Sequence, residues 1–466
     1  MPELRAAELC AAELAHILDG EWLAGRMPVD APSVEVSIDS RRVSAGGIFF
    51  ALEAARDGHQ FVPAAQAAGA CAAVVRRGVP TASPFPQLVV PDPRRALGVW
   101  AAAVRARSET PAVAITGSAG KTTTCAYLAR LLSPLGPIAA PPGSYNNDLG
   151  VPLTILNAPR DARALVIEVG TNAPGEVATL TSWTFADHGV VTAIAPAHLE
   201  GLGTLEGVAK EKLSLFGALP AGAKAWVVEE WRSEAERRGF TVRSFGSGGD
   251  TSVEPIGEGR VRWTFGEEIE EFAWCPRYRH QRDQLAVALA IATELGVPRA
   301  PLLDEIARLP EPPLRGEIEP VAGIDLILDC YNASPISVRA AMERLEDEEA
   351  AGRRLCLLGT MEELGGEEAH WHRELGRRAG SGSIDRVFLT GRGAEWYREG
   401  LREVGREGIA IDLASGGAEQ LAESLLPGDR LLFKASRAER LEEFASRVAA
   451  LLSERASDDG ARGDAR

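Results

Sequence analysis

The chain has no closely spaced cysteine pair, no apolar run of membrane-spanning length, and fewer basic than acidic residues. Its six cysteines (Cys10, Cys71, Cys125, Cys275, Cys330 and Cys356) lie far apart without a CxxC, which argues against a disulfide framework or a zinc site and for reduced thiols. The opening MPELRAAELCAAELAHILDG carries charges throughout and reads as an amphipathic helix rather than a signal peptide. A cytoplasmic protein without membrane insertion is therefore expected. With 66 acidic residues against 50 basic ones and a formal net charge of −16, no basic face can dominate, and no nucleic-acid partner is expected. An anionic ligand remains admissible, because a phosphate site needs only a few local donors.

What is present is the profile of a soluble globular protein, 45% hydrophobic and 25% charged, in 466 residues, too many for one core. No internal repeat is visible, and three segments can be drawn. In the first, VEVSIDSRRV leads into GIFFAL, a helix is predicted near residues 61–70, and VVPDPRRALG opens a connecting helix ending near Glu109. In the second, AVAITG (112–117), ALVIEVG (164–170), HGVVTAIAP (188–196) and KAWVVEE (224–230) are predicted strands. KTTTCAYLARLL and DQLAVALAIATELG (283–296) are predicted helices, and the alternation points to a parallel sheet wrapped by helices. In the third, DLILDCYN, RLCLLGT, RVFLTG and RLLFKAS are predicted strands of another α/β domain. The tail, residues 454–466, lacks apolar residues and is expected to be disordered.

TGSAGKTTT (116–124) stands between a predicted strand and a predicted helix. Backbone N–H groups of such a loop converge on phosphate oxygens, Lys121 would neutralise the β- and γ-phosphates, and Thr122 would reach magnesium. The usual GxxxxGK[ST] pattern would place glycine at 115, where this chain has Ile115. A plain glycine turn before a helix is the bland alternative, outweighed by the strand–loop–helix context. Glu168 ends one predicted strand and His198 another, where α/β sheets gather ligands, so the two could hold magnesium together. Taken singly, each also reads as an ordinary strand-end or turn residue. Lys210 and Lys212 in GVAKEKLSLF read, from residue chemistry alone, as solvated helix charges.

In order along the chain, these residues resemble the Mur ligase family of peptidoglycan synthesis, over nearly the whole length. SIDSRRVSAGGIFFAL and RDGHQFV resemble its UDP-sugar-binding domain, and AITGSAGKTTT its version of the phosphate loop, without the first glycine. YNNDLGVPLTIL (145–156), IEVGTNAPGEV (167–177) and APAHLEGLGTLEGVAKEK (195–212) follow. RGEIEP, DCYNASPISVRAAMERL, LGTMEELG, HRELG and KASR complete the series. The resemblance implies an α/β protein of three domains. These are a UDP-sugar-binding domain (1–108), a central parallel-sheet P-loop ATPase domain (109–313) and a C-terminal Rossmann-like domain for the amine acceptor (314–453).

The resemblance further implies an ATP-dependent amide ligase that activates a carboxylate as an acyl phosphate. ATP and Mg2+ would be its cofactors, and UDP-N-acetylmuramoyl-tripeptide and D-alanyl-D-alanine its substrates, with a monomer as the working form. Gly117, Ser118, Ala119, Gly120, Lys121, Thr122 and Thr123 would surround the ATP phosphates. Thr122, Glu168 and His198 would hold magnesium, and Lys212 aligns with the lysine the family carbamylates, with Lys210 as the alternative if the register slips. Asn146 and Asn147 would lie near the γ-phosphate and the activated carboxylate, and Gln281 and Gln284 near the adenine. Arg315 and Asn332 would complete the ATP site, while Ser40, Arg41, Lys434 and Arg437 would contact substrate. Closure at the segment junctions near 109 and 314 would exclude water from the acyl phosphate.

Several positions depart from the family pattern. Gln281 and Gln284 replace asparagines; Ala193 and Ala195 replace Asn and Gly; Ser334, Thr360 and Ala435 replace Asn, Asp and Gly. The groups for phosphate and metal are kept, so two alternatives stay open: a ligase with another amine acceptor or carboxylate donor, and a nucleotide-binding regulatory protein without turnover.

Overall fold

The computed structural model describes residues 11–23, 25, 35–413 and 417–463, with side chains as far as 457. Cys10 and the first half of the expected N-terminal helix lie outside the described residues; the second half is helical at Ala11–Ile17. Two compact units are present, one made of Met1–Ala193, Glu211–Trp274 and Asp283–Leu309, the other of Ile194–Lys210, Cys275–Arg282 and Pro310–Arg466. Cys71, Cys125, Cys275, Cys330 and Cys356 are free thiols. Among the described residues, no helix is long and apolar enough to cross a membrane.

The first unit opens on a small sheet of β1 (Glu21–Leu23), β2 (Val36–Ser37), β3 (Ile48–Phe50), β4 (Ala72–Val75) and β5 (Gln87–Val89), in the order β1-β5-β4-β3-β2. Only the β1–β5 pairing is antiparallel. The helix expected near 61–70 spans Val62–Ala67. The connecting helix, Pro93–Arg105, starts where Asp92 accepts from the N–H of Arg94 and Arg95 and Pro93 supplies a preset φ. At its end Arg105, buried, donates to the carbonyls of Thr184 at 2.8 Å and Thr110 at 2.9 Å.

The central sheet contains β6 (Ala112–Thr116), β7 (Ile138–Ala139), β8 (Ala164–Glu168), β9 (His188–Val191), β10 (Lys224–Val228), β11 (Val242–Phe245), β12 (Thr251–Gly257), β13 (Arg260–Phe265) and β14 (Glu268–Ala273). Its order is β14-β13-β12-β11-β10-β9-β6-β8-β7. Strands β6 to β12 pair in parallel, and β12 to β14 form an antiparallel extension. β6, β8 and β9 are buried at every residue, as an all-parallel centre covered on both faces requires. Strand order reverses around β6, with β8 on one side and β9 on the other, and that reversal opens a crevice at the strands' carboxyl ends. β9 and β10 stop short of the expected segments, at Val191 and Val228, and the latter gives way to a 3-10 turn. The helices Lys121–Leu132 and Gln281–Glu294 occupy the segments expected of them.

The second unit carries β15 (Glu317–Val321), β16 (Ile324–Leu328), β17 (Arg354–Leu358), β18 (Arg386–Leu389), β19 (Ala410–Asp412) and β20 (Arg430–Lys434), ordered β15-β16-β20-β17-β18-β19. All pair in parallel except β15 with β16, which gives the expected Rossmann-like α/β sheet. A last helix, Leu441–Gly463, runs through most of the tail expected to be disordered.

Candidate active site

The loop after β6 is built around two glycines. Gly117 has φ +151, and a Cβ there would stand 2.1 Å from Oγ1 of Thr192, the residue that follows β9. Gly120, with φ +83, forms the N-cap of the helix Lys121–Leu132, and a Cβ there would meet Nε2 of Gln284 at 2.5 Å. Thr192 draws the loop in: its hydroxyl donates to the carbonyl of Ala119 at 2.6 Å. Ser118 N–H donates to the carbonyl of Ala193 at 2.8 Å, a group any residue supplies, so alanine in place of the family's asparagine leaves this contact intact. Lys121 bends back over the loop and donates from Nζ to the carbonyl of Gly117 at 2.8 Å. The ammonium thus stands over a glycine loop that leads into a helix N-terminus, a cradle that suits the phosphates of a nucleotide.

Next to the cradle, β8 delivers Glu168, 1% exposed. Its Oε1 accepts from Nδ2 of Asn146 at 2.7 Å, whereas Oε2 is buried without a hydrogen-bond partner. Asn147 plays a local part, its Oδ1 accepting from the N–H of Leu149 at 3.2 Å and of Gly150 at 2.9 Å.

Lys212 overturns the surface reading of its residue chemistry. It is fully buried on the helix Leu205–Gly217, and its Nζ has no hydrogen-bond partner. Lys210, two residues earlier on the same helix, is exposed. Burial, reinforced by Lys121, holds the Lys212 amine well below the usual lysine range, against the pull of Glu211, Glu168 and Glu176. The buried Lys212 amine and the half-satisfied Glu168 carboxylate thus interact electrostatically. Gln284 adds a third unsatisfied group, its Oε1 being buried without a partner. Thr122 and Thr123 lie in the first turn of the loop's helix, half-buried and buried respectively.

Several of the remaining candidates fall in the second unit. His198 has φ +55, and its Nδ1 faces the carboxylate of Glu363. Gln281 is buried, with Oε1 accepting from the N–H of Tyr278 at 3.1 Å, a turn-closing role beside the expected adenine contact. Lys434, 2% exposed, pairs with Asp329 at 3.1 Å and donates to the carbonyl of Asn332 at 2.9 Å; burial lowers its pKa. The guanidinium groups of Arg315 and Arg437 both face the ring of Tyr331, at 4.6 and 6.0 Å. Thr360 and Ala435, both departures from the family pattern, are buried, and Oγ1 of Thr360 accepts from the N–H of Gly393 at 3.3 Å.

A cavity of about 360 Å³ lies in the first unit between the segment after β2 and the segment after β7. Ser37, Asp39, Arg42, Tyr145 and Asn157 line it. Neither Ser40 nor Arg41 does. Arg41 instead chelates Asp39, with Nε at 2.9 Å and Nη2 at 2.7 Å, and this pairing holds the Asp39 carboxyl down at about 2. Asn157 bolts the β2 edge to the central domain, accepting from the N–H of Val36 at 2.7 Å and donating to its carbonyl at 2.9 Å. The adjacency of Arg42 to the expected Ser40–Arg41 pair was a signal for it; Asn157, in an unremarked NAP turn, had none. Glu53, Asp57 and His59 also cluster, but the acids face Arg76 and Arg77, and His59 Nε2 accepts from the N–H of Arg76 at 3.0 Å.

With this geometry described, comparison with known proteins is specific. Residues 115–272 match the Mur ligase middle domain, and residues 315–437 match the Mur ligase, glutamate ligase domain. The chain is 32% identical to the UDP-N-acetylmuramoyl-tripeptide–D-alanyl-D-alanine ligase of Escherichia coli, across 93% of this chain and 96% of that one. The crystal structure of MurF from Acinetobacter baumannii superposes with a TM-score of 0.83 at 25% identity, covering 95% of this chain and 98% of the other. That of the MurF ligase from Thermotoga maritima in complex with ADP superposes with a TM-score of 0.79 at 27% identity, covering 91% and 99%.

Proposed function

Since the chain belongs to the Mur ligase family, we propose that it is an ATP-dependent ligase that adds D-alanyl-D-alanine to UDP-N-acetylmuramoyl-tripeptide. One observation carries this reading beyond the likeness: a phosphate cradle headed by Lys121 stands with two buried groups, Glu168 Oε2 and Lys212 Nζ, that have no hydrogen-bond partner. Buried polar groups are ordinarily satisfied, so a pair left open beside a phosphate cradle suits a bound ligand. The chain's domain boundaries, 1–108, 109–313 and 314–453, the monomeric state and the cytoplasmic setting belong to the same proposal.

The cradle N–H groups and Lys121 bind the ATP phosphates and offset the negative charge that would repel an incoming carboxylate. Attack of the tripeptide carboxylate on the γ-phosphate forms an acyl phosphate and releases ADP; attack of the dipeptide amine forms the amide and releases phosphate. Asn146 holds one oxygen of Glu168 and leaves the other open. Thr122 and Glu168 are suitable oxygen ligands for Mg2+, which when bound would neutralise phosphate charge. His198 is proposed as a further ligand on the resemblance alone. Lys212, whose pKa burial lowers, is suited to add to CO2 through its unprotonated nitrogen and lose a proton, which yields an anionic carbamate. Arg315, Asn332, Gln281, Gln284, Lys434 and Arg437 keep their expected roles toward nucleotide and amine as part of this proposal, and the cavity beside Ser37 and Arg42 supports the nucleotide-sugar.

The test is phosphate release from ATP and magnesium with UDP-N-acetylmuramoyl-tripeptide, with and without D-alanyl-D-alanine. Release dependent on both substrates, with a product heavier by the dipeptide, is expected. Release indifferent to the dipeptide would keep the ligase and reject the amine.

A further inference from the structure

Glu211 immediately precedes Lys212 and is itself buried, 5% exposed, although nothing in its side chain points at the phosphate loop. Its two carboxylate oxygens accept from the N–H of Gly175 at 2.7 Å and of Val177 at 2.8 Å, and Oε1 lies 3.4 Å from the hydroxyl of Thr171. These donors belong to the loop that leaves β8 just beyond Glu168 and to the first turn of the helix Glu176–Ser182 that follows it. From within, the same loop is folded by Glu176, whose Oε2 accepts from the N–H of Asn172 at 2.7 Å and of Ala173 at 3.1 Å. The loop is therefore wrapped on two carboxylates, one from the start of the helix Glu176–Ser182 and one from the helix Leu205–Gly217.

A buried carboxylate saturated by backbone N–H groups is a strong and directional tie, and removing it leaves those donors stranded. Consecutive helix residues point about 100° apart, so the face that Glu211 turns to the loop fixes the face on which Lys212 is presented. Lys212, for its part, senses the charges of Lys121 and Glu168. We propose that Glu211 is a positioning residue of the ligase reaction: by fastening the helix Leu205–Gly217 to the loop after β8, it sets Lys212 against Glu168. This rests on the ligase reading above. Glu211 touches no reacting atom, and its effect passes through Lys212.

The experiment compares the full-length protein with Glu211→Gln, which keeps volume but turns an amide N–H toward backbone N–H groups, and with Glu211→Asp, which keeps charge but loses reach. Both are expected to lower kcat about tenfold to a hundredfold, the scale of a displacement near 1 Å at a reacting group. KM for ATP should stay within about twofold and the melting temperature within a few degrees, because the cradle itself is untouched. Unchanged kcat in either folded variant overturns the proposal. So does a fall in kcat that comes with an equal loss of ATP binding and of thermal stability, which marks general damage. Absence of turnover in the unaltered protein instead rejects the ligase reading, and this proposal with it.

Discussion

Asn146 donates its side-chain amide to one oxygen of Glu168 at 2.7 Å, while the other oxygen of that carboxylate is buried and unpartnered. The amide fixes the rotamer, and the open oxygen is what a metal or reacting group would use. Glu168→Gln is therefore expected to cut kcat by about a hundredfold or more while the fold stands. Asn146→Ala, which loses only the orienting bond, should cost about tenfold to a hundredfold. Phosphate-release kinetics beside thermal melts separate the two, and a Glu168→Gln enzyme at full speed would remove Glu168 from the site.

Lys212 offers the opposite pairing of effects. Its amine is buried without a partner, a costly arrangement for a polar group. Lys212→Met keeps most of the volume and removes that cost. We expect a variant about 1–3 kcal/mol more stable in urea titrations, and with kcat reduced by at least about a thousandfold. Stability gained as activity is lost is the signature of a group held strained for function. A carbonyl resonance from the unaltered protein equilibrated with 13C-bicarbonate, absent in Lys212→Met, would report the carbamate directly.

The local parts of this site were legible in the sequence and the tertiary parts were not. The segments AVAITG and KTTTCAYLARLL name β6 and the helix after it almost residue for residue, because an apolar run, a glycine turn and a helix start are each written in neighbouring residues. Lys212 read as a surface charge, because its burial is set by what the helix packs against and not by its neighbours in sequence. The β12–β14 extension escaped notice for a related reason: β14, EIEEFA, alternates half-buried and exposed residues and carries three glutamates, which hides an edge strand among polar loops. Ser37 and Asn157 became visible as cavity residues only when β2 met the central domain.

His188, at the start of β9, gives a pH dependence whose sign can be worked out. Burial, only partly offset by Glu294, depresses its pKa from 6.5 to about 4, and its Nδ1 accepts from Nε1 of Trp226 at 3.2 Å, which requires a neutral ring. Between pH 4 and 6.5 the unfolded chain binds a proton that the folded chain refuses. The stabilisation is therefore fully present above pH 6.5 and is lost as pH falls toward 4, by up to about 3 kcal/mol. Urea midpoints measured at pH 7 and pH 5 should separate less in His188→Asn than in the unaltered protein. Equal separation would show that other groups set the acid sensitivity.

Gly120 tests the cradle. Its φ of +83 is strained for any side chain, and a Cβ would press on Nε2 of Gln284 at 2.5 Å. Gly120→Ala should raise KM for ATP by about tenfold or more, since strain of about 1–3 kcal/mol is relieved only by moving the loop. Isothermal titration with ADP checks this without turnover, and unaltered affinity would mean that the loop gives way at no cost.

The cavity beside β2 discriminates between two adjacent arginines. Arg41 is 87% exposed in its side chain and already chelated by Asp39, so its charge is spoken for within the loop. Arg42 lines the cavity beside Ser37 and Asn157. A charge-assisted hydrogen bond to a substrate phosphate contributes about 1.5–3 kcal/mol, so Arg42→Ala should raise KM for UDP-N-acetylmuramoyl-tripeptide by about tenfold to a hundredfold. KM for ATP should be untouched, because the phosphate cradle is built from other residues. Arg41→Ala removes only an exposed ion pair and should change KM for the nucleotide-sugar by less than about threefold. Added salt should narrow the gap between Arg42→Ala and the unaltered protein, since screening weakens the contact that the variant lacks. If Arg41→Ala proved the more damaging of the two, the diphosphate would have to lie outside this cavity, on the exposed side of the loop after β2.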